Sequence, residues 1–276
     1  MELRALGFCG VDDSVHPHQL AIYAHLYPSV EFGILFRPDK EGQPRYPSKQ
    51  WVESLVETVQ RSQKNSQSPM KLAAHLCGQR VDEVLRGEDS FVRNLSDWGF
   101  GRIQVNATAV NGVDTSVFVK QPRKVVEEFL SVTNRHPEIE FILQKNEETR
   151  PLWFGVLEHL TVESNFPSNI SMLHDESKGT GVLPEVWPMI HPDTPYQIGY
   201  AGGIGPSNVA VVLSKIQEAA HCENRVWIDM ESSLRSQKNG KDVFDLDKCH
   251  QVILEVCQTG FLSHPPFLRD GNLEIK

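Results

Sequence analysis

The stretch Gly199-Tyr200-Ala201-Gly202-Gly203-Ile204-Gly205-Pro206-Ser207-Asn208-Val209 joins an apolar run to a diglycine turn, and Ser207 opens an amphipathic segment. Glycines let a backbone approach a ligand closely, and a new helix offers N–H groups without partners. Together they make a cradle for an anion, phosphate above all. The same residues also serve a plain strand-turn-helix connection, so their meaning depends on what accompanies them.

Other groups able to move protons or hold anions stand at similar places. Cys9, in Gly7-Phe8-Cys9-Gly10, is a general base if its thiol is made acidic by its surroundings, or a small apolar filler. Asp175, in His174-Asp175-Glu176-Ser177-Lys178-Gly179-Thr180-Gly181, is a proton donor or a turn-making cap. Arg45, in Pro44-Arg45-Tyr46, is a bidentate carboxylate clamp or a solvated charge. Gln104, Asp229, Ser232 and Ser233 complete the set.

These residues need elements to position them. Short apolar runs recur at 5–9, 31–36, 71–76, 102–106, 140–144, 169–174, 196–201 and 225–230. Most are continuous rather than alternating, as parallel strands buried on both faces should be. Helix-like patterns follow them. Trp51, Leu55, Val56 and Val59 share a face, as do Val125, Val126, Phe129 and Leu130, and again Val209, Val212, Leu213 and Ile216, with a last helix at about 246–257. Eight such βα units predict an α/β fold closed as a (β/α)8 TIM barrel, with a doubly wound open sheet as the alternative. The expected organisation is one domain over residues 1–276, with enlarged loops at 37–47, 62–69, 145–165 and 232–242 and a loosely packed tail from Ser263. In a barrel, chemistry gathers at the C-terminal ends of the strands, where all the residues named above fall.

Composition narrows the function. The chain has 276 residues and a net charge of −9 without a basic cluster, which argues against nucleic acid and acidic membrane surfaces. No apolar run approaches the ~18 residues that span a bilayer. The sequence enters strand-like residues at Leu3, without a signal-peptide pattern, and its five scattered cysteines suit reduced thiols, so a cytoplasmic protein is expected.

Taken together, Cys9-Gly10, Pro44-Arg45-Tyr46, Asp175 with Gly179-Thr180-Gly181, Ala201-Gly202-Gly203 with Pro206-Ser207-Asn208-Val209, and Asp229 leading to Ser232 resemble, in order and spacing, the phosphoribosylanthranilate isomerase family of tryptophan biosynthesis. The resemblance runs from about Leu3 to Gly260 but is carried by five short segments. It implies an Amadori rearrangement of a phosphoribosyl amine without metal or redox cofactor, in a monomer or homodimer. Asp175 would then be the general acid that opens the furanose ring, and Cys9 the base that takes the C2 proton. Arg45 would hold a substrate carboxylate, and Gly202, Gly203, Ser232 and Ser233 the phosphate, with Gln104 and Asp229 lining the site. Desolvation would keep Asp175 protonated, and positive potential would help ionise Cys9.

The chain departs from the family pattern at several points. Glu231-Ser232-Ser233-Leu234-Arg235 replaces the usual Ser-Ser-Gly-Val-Glu, Gln104-Val105-Asn106-Ala107 replaces Gln-Leu-His-Gly, and strand three ends in His75-Leu76-Cys77-Gly78. A relative acting on another phosphorylated sugar is therefore an alternative. So are a Schiff-base aldolase built on Lys145 and a metal hydrolase built on His75, His174, Asp175 and Asp229.

Overall fold

The apolar runs become strands because their residues are shielded on both faces: five of the six residues of Lys71–Leu76 are buried, and all four of Arg102–Val105. The computed structural model describes residues 1–64, 70–163, 166–175, 182–220 and 225–262. The loop residues Gly179 to Gly181, Cys222, residues 65–69 and the tail from Ser263 lie outside them. Eight strands, β1 (Glu2–Cys9), β2 (Val30–Phe36), β3 (Lys71–Leu76), β4 (Arg102–Val105), β5 (Glu140–Lys145), β6 (Ile170–His174), β7 (Gln197–Ala201) and β8 (Arg225–Met230), close into a barrel in sequence order. All pairings are parallel, and β8 returns to β1. The fold is a (β/α)8 TIM barrel.

Helices α1 (Pro17–Leu26), α2 (Lys49–Lys64), α3 (Gln79–Leu85), α4 (Ser90–Asp97), α5 (Ser116–Lys120), α6 (Pro122–Arg135), α7 (Arg150–Glu163), α8 (Val209–Ala219) and α9 (Leu246–Gln258) form the outer layer. The expected apolar faces are buried on α6 and α8. On α2, Trp51, Leu55 and Val59 are buried and Val56 packs against the core.

Two expected loops are ordered elements instead. Most of 145–165 is α7, whose Leu152, Val156 and Leu160 are buried at four-residue spacing. Its pattern is blurred because Phe154 and Val162 are exposed apolar residues on the other side. From 235, and running two residues past the expected loop 232–242, β9 (Arg235–Lys238) and β10 (Lys241–Phe244) form a hairpin. Its tip is Asn239-Gly240, both at positive φ, the conformation that a two-residue hairpin turn needs. Conversely, no helix stands between β6 and β7 among the described residues. Pro184, Pro188, Pro192 and Pro195 remove the backbone donors that a helix requires. This segment covers the barrel with Trp187, whose ring meets Tyr200 edge-on at 5.7 Å, while the Tyr200 hydroxyl donates to Pro188 O at 2.9 Å.

Inside the barrel, an apolar layer of Ala5, Ile142, Leu173, Ala201 and Trp227 separates two polar ones. Toward the N-terminal end, Arg102 donates to Glu31 at 2.6 Å and lies 3.4 Å from Glu140 and 4.2 Å over the Trp227 ring. Arg4 and Ser171 also bond to Glu140. The other polar layer opens at the C-terminal ends of the strands. No helix among the described residues is long and apolar enough to cross a membrane.

Candidate functional site

Strand alternation decides which end residues face the barrel axis. At that end a cavity of about 500 Å³ is lined by every residue that the family resemblance assigns to the site: Cys9, Arg45, Gln104, Asp175, Gly202, Gly203, Asp229, Ser232 and Ser233. His75, Gln144, Asn106, Tyr46 and Glu231 also line it. Gln144 shares the inward face of β5 with Ile142, so alternation along that strand was the signal for it.

Cys9 ends β1 in register with Gly33 of β2, and its Sγ lies 3.7 Å from Nε2 of His75 on β3. That approach across an intervening strand depends on Gly33. A Cβ there would stand 2.8 Å from both Cys9 Sγ and His75 Nε2. Gly7 does the same for Asp229, whose Oδ1 would lie 1.9 Å from a Cβ at that position. As a result Cys9 Sγ, His75 Nε2 and a carboxylate oxygen of Asp229 all lie within 4.8 Å of one another.

The electrostatics at Cys9 differ from the expected positive potential. Burial pushes the thiol well above its ordinary range, and Asp229, Glu231 and Glu31 push it further in the same direction. Burial likewise raises Asp229 to about 7, with Arg102 opposing and Glu31 assisting. Burial lowers His75 to about 3, helped by Arg102. The resting site therefore holds a neutral thiol and a neutral imidazole beside a carboxyl group that titrates near neutrality.

Asp175 is buried at the end of β6, where its Oδ2 accepts from Gln144 Nε2 at 3.2 Å and its carbonyl from Asn146 Nδ2 at 3.3 Å. Gln104, paired with His75 in the β3–β4 register, donates to Asn106 Oδ1 at 2.7 Å. The Oε1 atoms of Gln104 and Gln144 are both buried without a partner among the described residues. Buried acceptors of this kind call for donors, and hydroxyl groups of a bound ligand would supply them.

At the rim, Gly202 (φ 107°) and Gly203 (φ 65°) turn the chain after β7 in a conformation that a side chain would strain. Asn208 locks the turn, donating to Gly203 O and accepting from Gly205 N, both at 2.9 Å. The helix begins one residue later, at Val209 rather than Ser207. Ser233 Oγ donates to Ile204 O at 2.5 Å, so the β7 and β8 loops touch.

Arg45 is already engaged. It donates to Glu231 Oε1 at 2.8 Å and to Ser232 Oγ at 2.9 Å, and its Nε lies 3.5 Å from Asp242. Its φ of 78° is held by a 2.6 Å bond from its backbone N–H to Asp12 Oδ2. Arg235 points away from the cavity and is buried against Asp12, Asp242 and Gly10 O.

Two alternatives lose their geometry. Lys145 lies on the outer face of β5, with its Nζ 4.9 Å from the Trp153 ring and bonded to the Tyr196 hydroxyl at 3.3 Å. It is not among the residues lining the cavity, which a Schiff-base nucleophile would need to be. His174 likewise faces outward and stacks on Tyr200 with centroids 5.6 Å apart, so it does not join His75 and Asp229.

No family model and no curated protein matches the sequence. Among solved structures, the chain is similar to a phosphoribosyl anthranilate isomerase from Thermus thermophilus, at 15% identity and a TM-score of 0.51, over 92% of this chain and 98% of that one. It is comparably similar to phospho-2-dehydro-3-deoxyheptonate aldolase (DAHP synthase) from Thermotoga maritima, at 11% identity and a TM-score of 0.53, over 95% of this chain and 70% of that one. These likenesses establish the barrel.

Proposed function

We propose that this chain is an enzyme that isomerises a phosphorylated sugar amine from aldose to ketose by proton transfer, in the manner of phosphoribosylanthranilate isomerase. One observation carries the reading. Cys9 and Asp175, from strands on different sides of the barrel, wall a single cavity whose rim carries Gly202-Gly203 and Ser232-Ser233.

The reaction needs no electron acceptor. Asp175 gives its proton to the ring oxygen as the C1–O bond breaks, and the nitrogen lone pair closes a cationic imine. The Cys9 thiol first gives its own proton to the Asp229 carboxylate, which lies within 4.8 Å, and the resulting thiolate takes the C2 proton, leaving an enolamine. Protonation at C1 and loss of the enol proton then give the ketose, with no net change in atoms or charge. The carboxylates around Cys9 that disfavour a resting thiolate favour that cation, so charge develops where the site is suited to it. The orphan Oε1 atoms of Gln104 and Gln144 accept from sugar hydroxyls, and the N–H groups of Gly202 and Gly203 face the phosphate. Cysteines that are free thiols are in keeping with a cytoplasmic setting.

The test follows the fluorescence of freshly made phosphoribosylanthranilate on mixing with the wild-type protein, Cys9→Ser and Asp175→Asn. Fluorescence that decays with the wild type and persists with both variants supports the assignment. A folded wild type without turnover removes it.

A second reading has its own observation. Because Arg45 is matched to Glu231 and Asp242, it is not free to clamp a substrate carboxylate. This favours a phosphorylated sugar lacking the benzoate group. Inorganic phosphate binding without turnover of phosphoribosylanthranilate is the outcome that selects it.

A further inference from the structure

We propose that Cys9, His75 and Asp229 form a binding site for a zinc-class divalent cation at the floor of the cavity. The inference goes beyond the isomerase reading and places the same thiol in a second, metal-bound state.

The donor set comes first. Thiolate, imidazole and carboxylate together select zinc and its neighbours among the transition metals, whereas magnesium and calcium require oxygen ligands. The spacing suits a tetrahedral ion. Zinc bonds of ~2.3 Å to sulfur and ~2.0 Å to nitrogen set those two atoms about 3.5 Å apart. Cys9 Sγ and His75 Nε2 are 3.7 Å apart, and a carboxylate oxygen of Asp229 lies within 4.8 Å of both.

The backbone is cut away to permit this. Gly33 and Gly7 are the positions at which a single methyl group would collide with the three donors, and they lie on β2 and β1 beside them. The donors come from three strands of a closed barrel, so their positions are fixed by the fold rather than by a flexible loop. All three are buried yet line the cavity, which gives an ion a route in and leaves a coordination position facing the ligand space. One thiolate and one carboxylate neutralise a divalent cation, so the loaded site carries no net charge. Gln104, beside His75 in register, adds a buried Oε1 without a partner at the same wall.

A thiolate held by a metal cannot accept a proton from carbon. Loading the site is therefore incompatible with Cys9 acting as a base, and zinc acts as a reversible inhibitor of the proposed isomerisation.

The probe is cobalt(II) added to chelator-stripped, reduced wild-type protein. The expected result is uptake of one equivalent, with sulfur-to-cobalt charge-transfer absorption and the intense visible bands of a tetrahedral ion. X-ray absorption on the zinc-loaded wild type should show one sulfur at ~2.3 Å and nitrogen or oxygen neighbours at ~2.0–2.2 Å. Cys9→Ser should lose the charge-transfer band while Cys77→Ser keeps it. His75→Gln should weaken binding by roughly tenfold or more, at least the loss that outer-shell partners of a metal cause. Circular dichroism confirms that each variant is folded. Absence of uptake by the folded wild type overturns the proposal, as does a charge-transfer band that survives Cys9→Ser. The cobalt spectrum requires no turnover, so failure of the isomerase reading leaves this result standing, and the reverse also holds.

Discussion

Arg45 and Glu231 meet across the rim of the cavity, Nη1 to Oε1 at 2.8 Å, with each side chain about one-third exposed. The pair joins the loop after β2 to the end of β8 and brings the guanidinium beside Ser232. A carboxylate at this place competes with any anionic ligand for the same cation. Glu231→Gln should therefore tighten binding of inorganic phosphate by roughly two- to fivefold, the scale of a partly exposed ion pair. Titration calorimetry of the two proteins reads this directly, and equal or weaker binding by the variant would show that Arg45 does not serve the anion.

Gly33 tests the convergence of Cys9 and His75. Gly33→Ala places a methyl group 2.8 Å from both donor atoms. The variant should fold with a loss of about 1–3 kcal/mol, typical of overpacking. It should also lose the proposed isomerase activity, because the thiol must move. Urea unfolding and the fluorescence assay measure the two effects, and an alanine variant unchanged in both would refute the described packing.

Arg102 is the cation of the opposite polar layer, buried between Glu31 and Glu140. Arg102→Met leaves two buried carboxylates without their shared partner and should cost about 3–5 kcal/mol. Adding Glu31→Gln and Glu140→Gln should restore much of that loss. Denaturant midpoints of the single and triple variants decide the matter, and a single variant as stable as wild type would contradict it.

His174 gives the pH dependence. Burial, with Lys145 nearby, lowers its pKa to about 4 from an ordinary 6.5. The unfolded chain therefore binds the proton more readily, and stability falls as pH drops from about 6.5 toward 4. The full effect is on the order of 3 kcal/mol. His174→Phe, which retains a ring against Tyr200, should flatten that part of the profile. Parallel acid-range slopes for wild type and variant would be the contrary result.

The barrel and the residues that line its mouth were legible because buried parallel strands leave continuous apolar runs, and because the cavity-lining residues follow the ends of those runs. What escaped was orientation. Lys145 and His174 stand at strand ends as Gln144 and Asp175 do, but alternation turns the first two outward. The α7 helix was hidden by Phe154 and Val162, which break its apolar stripe. The β9–β10 hairpin did leave a signal, Asn239-Gly240, inside what reads as an ordinary polar loop. The engagement of Arg45 could not be read from the chain at all, since Glu231 and Asp242 reach it only through barrel closure.

That closure has a kinetic consequence. The β1–β8 seam pairs Glu2 with Arg225 and Gly7 with Asp229, residues from opposite ends of the sequence, and such contacts form late because the chain entropy they remove is large. Cys9 and Asp229 stand on the two sides of that seam. A partly folded barrel can thus possess most of its strands and helices while lacking the site. During refolding, recovery of ligand binding should follow the slowest phase, well after the helical signal has returned.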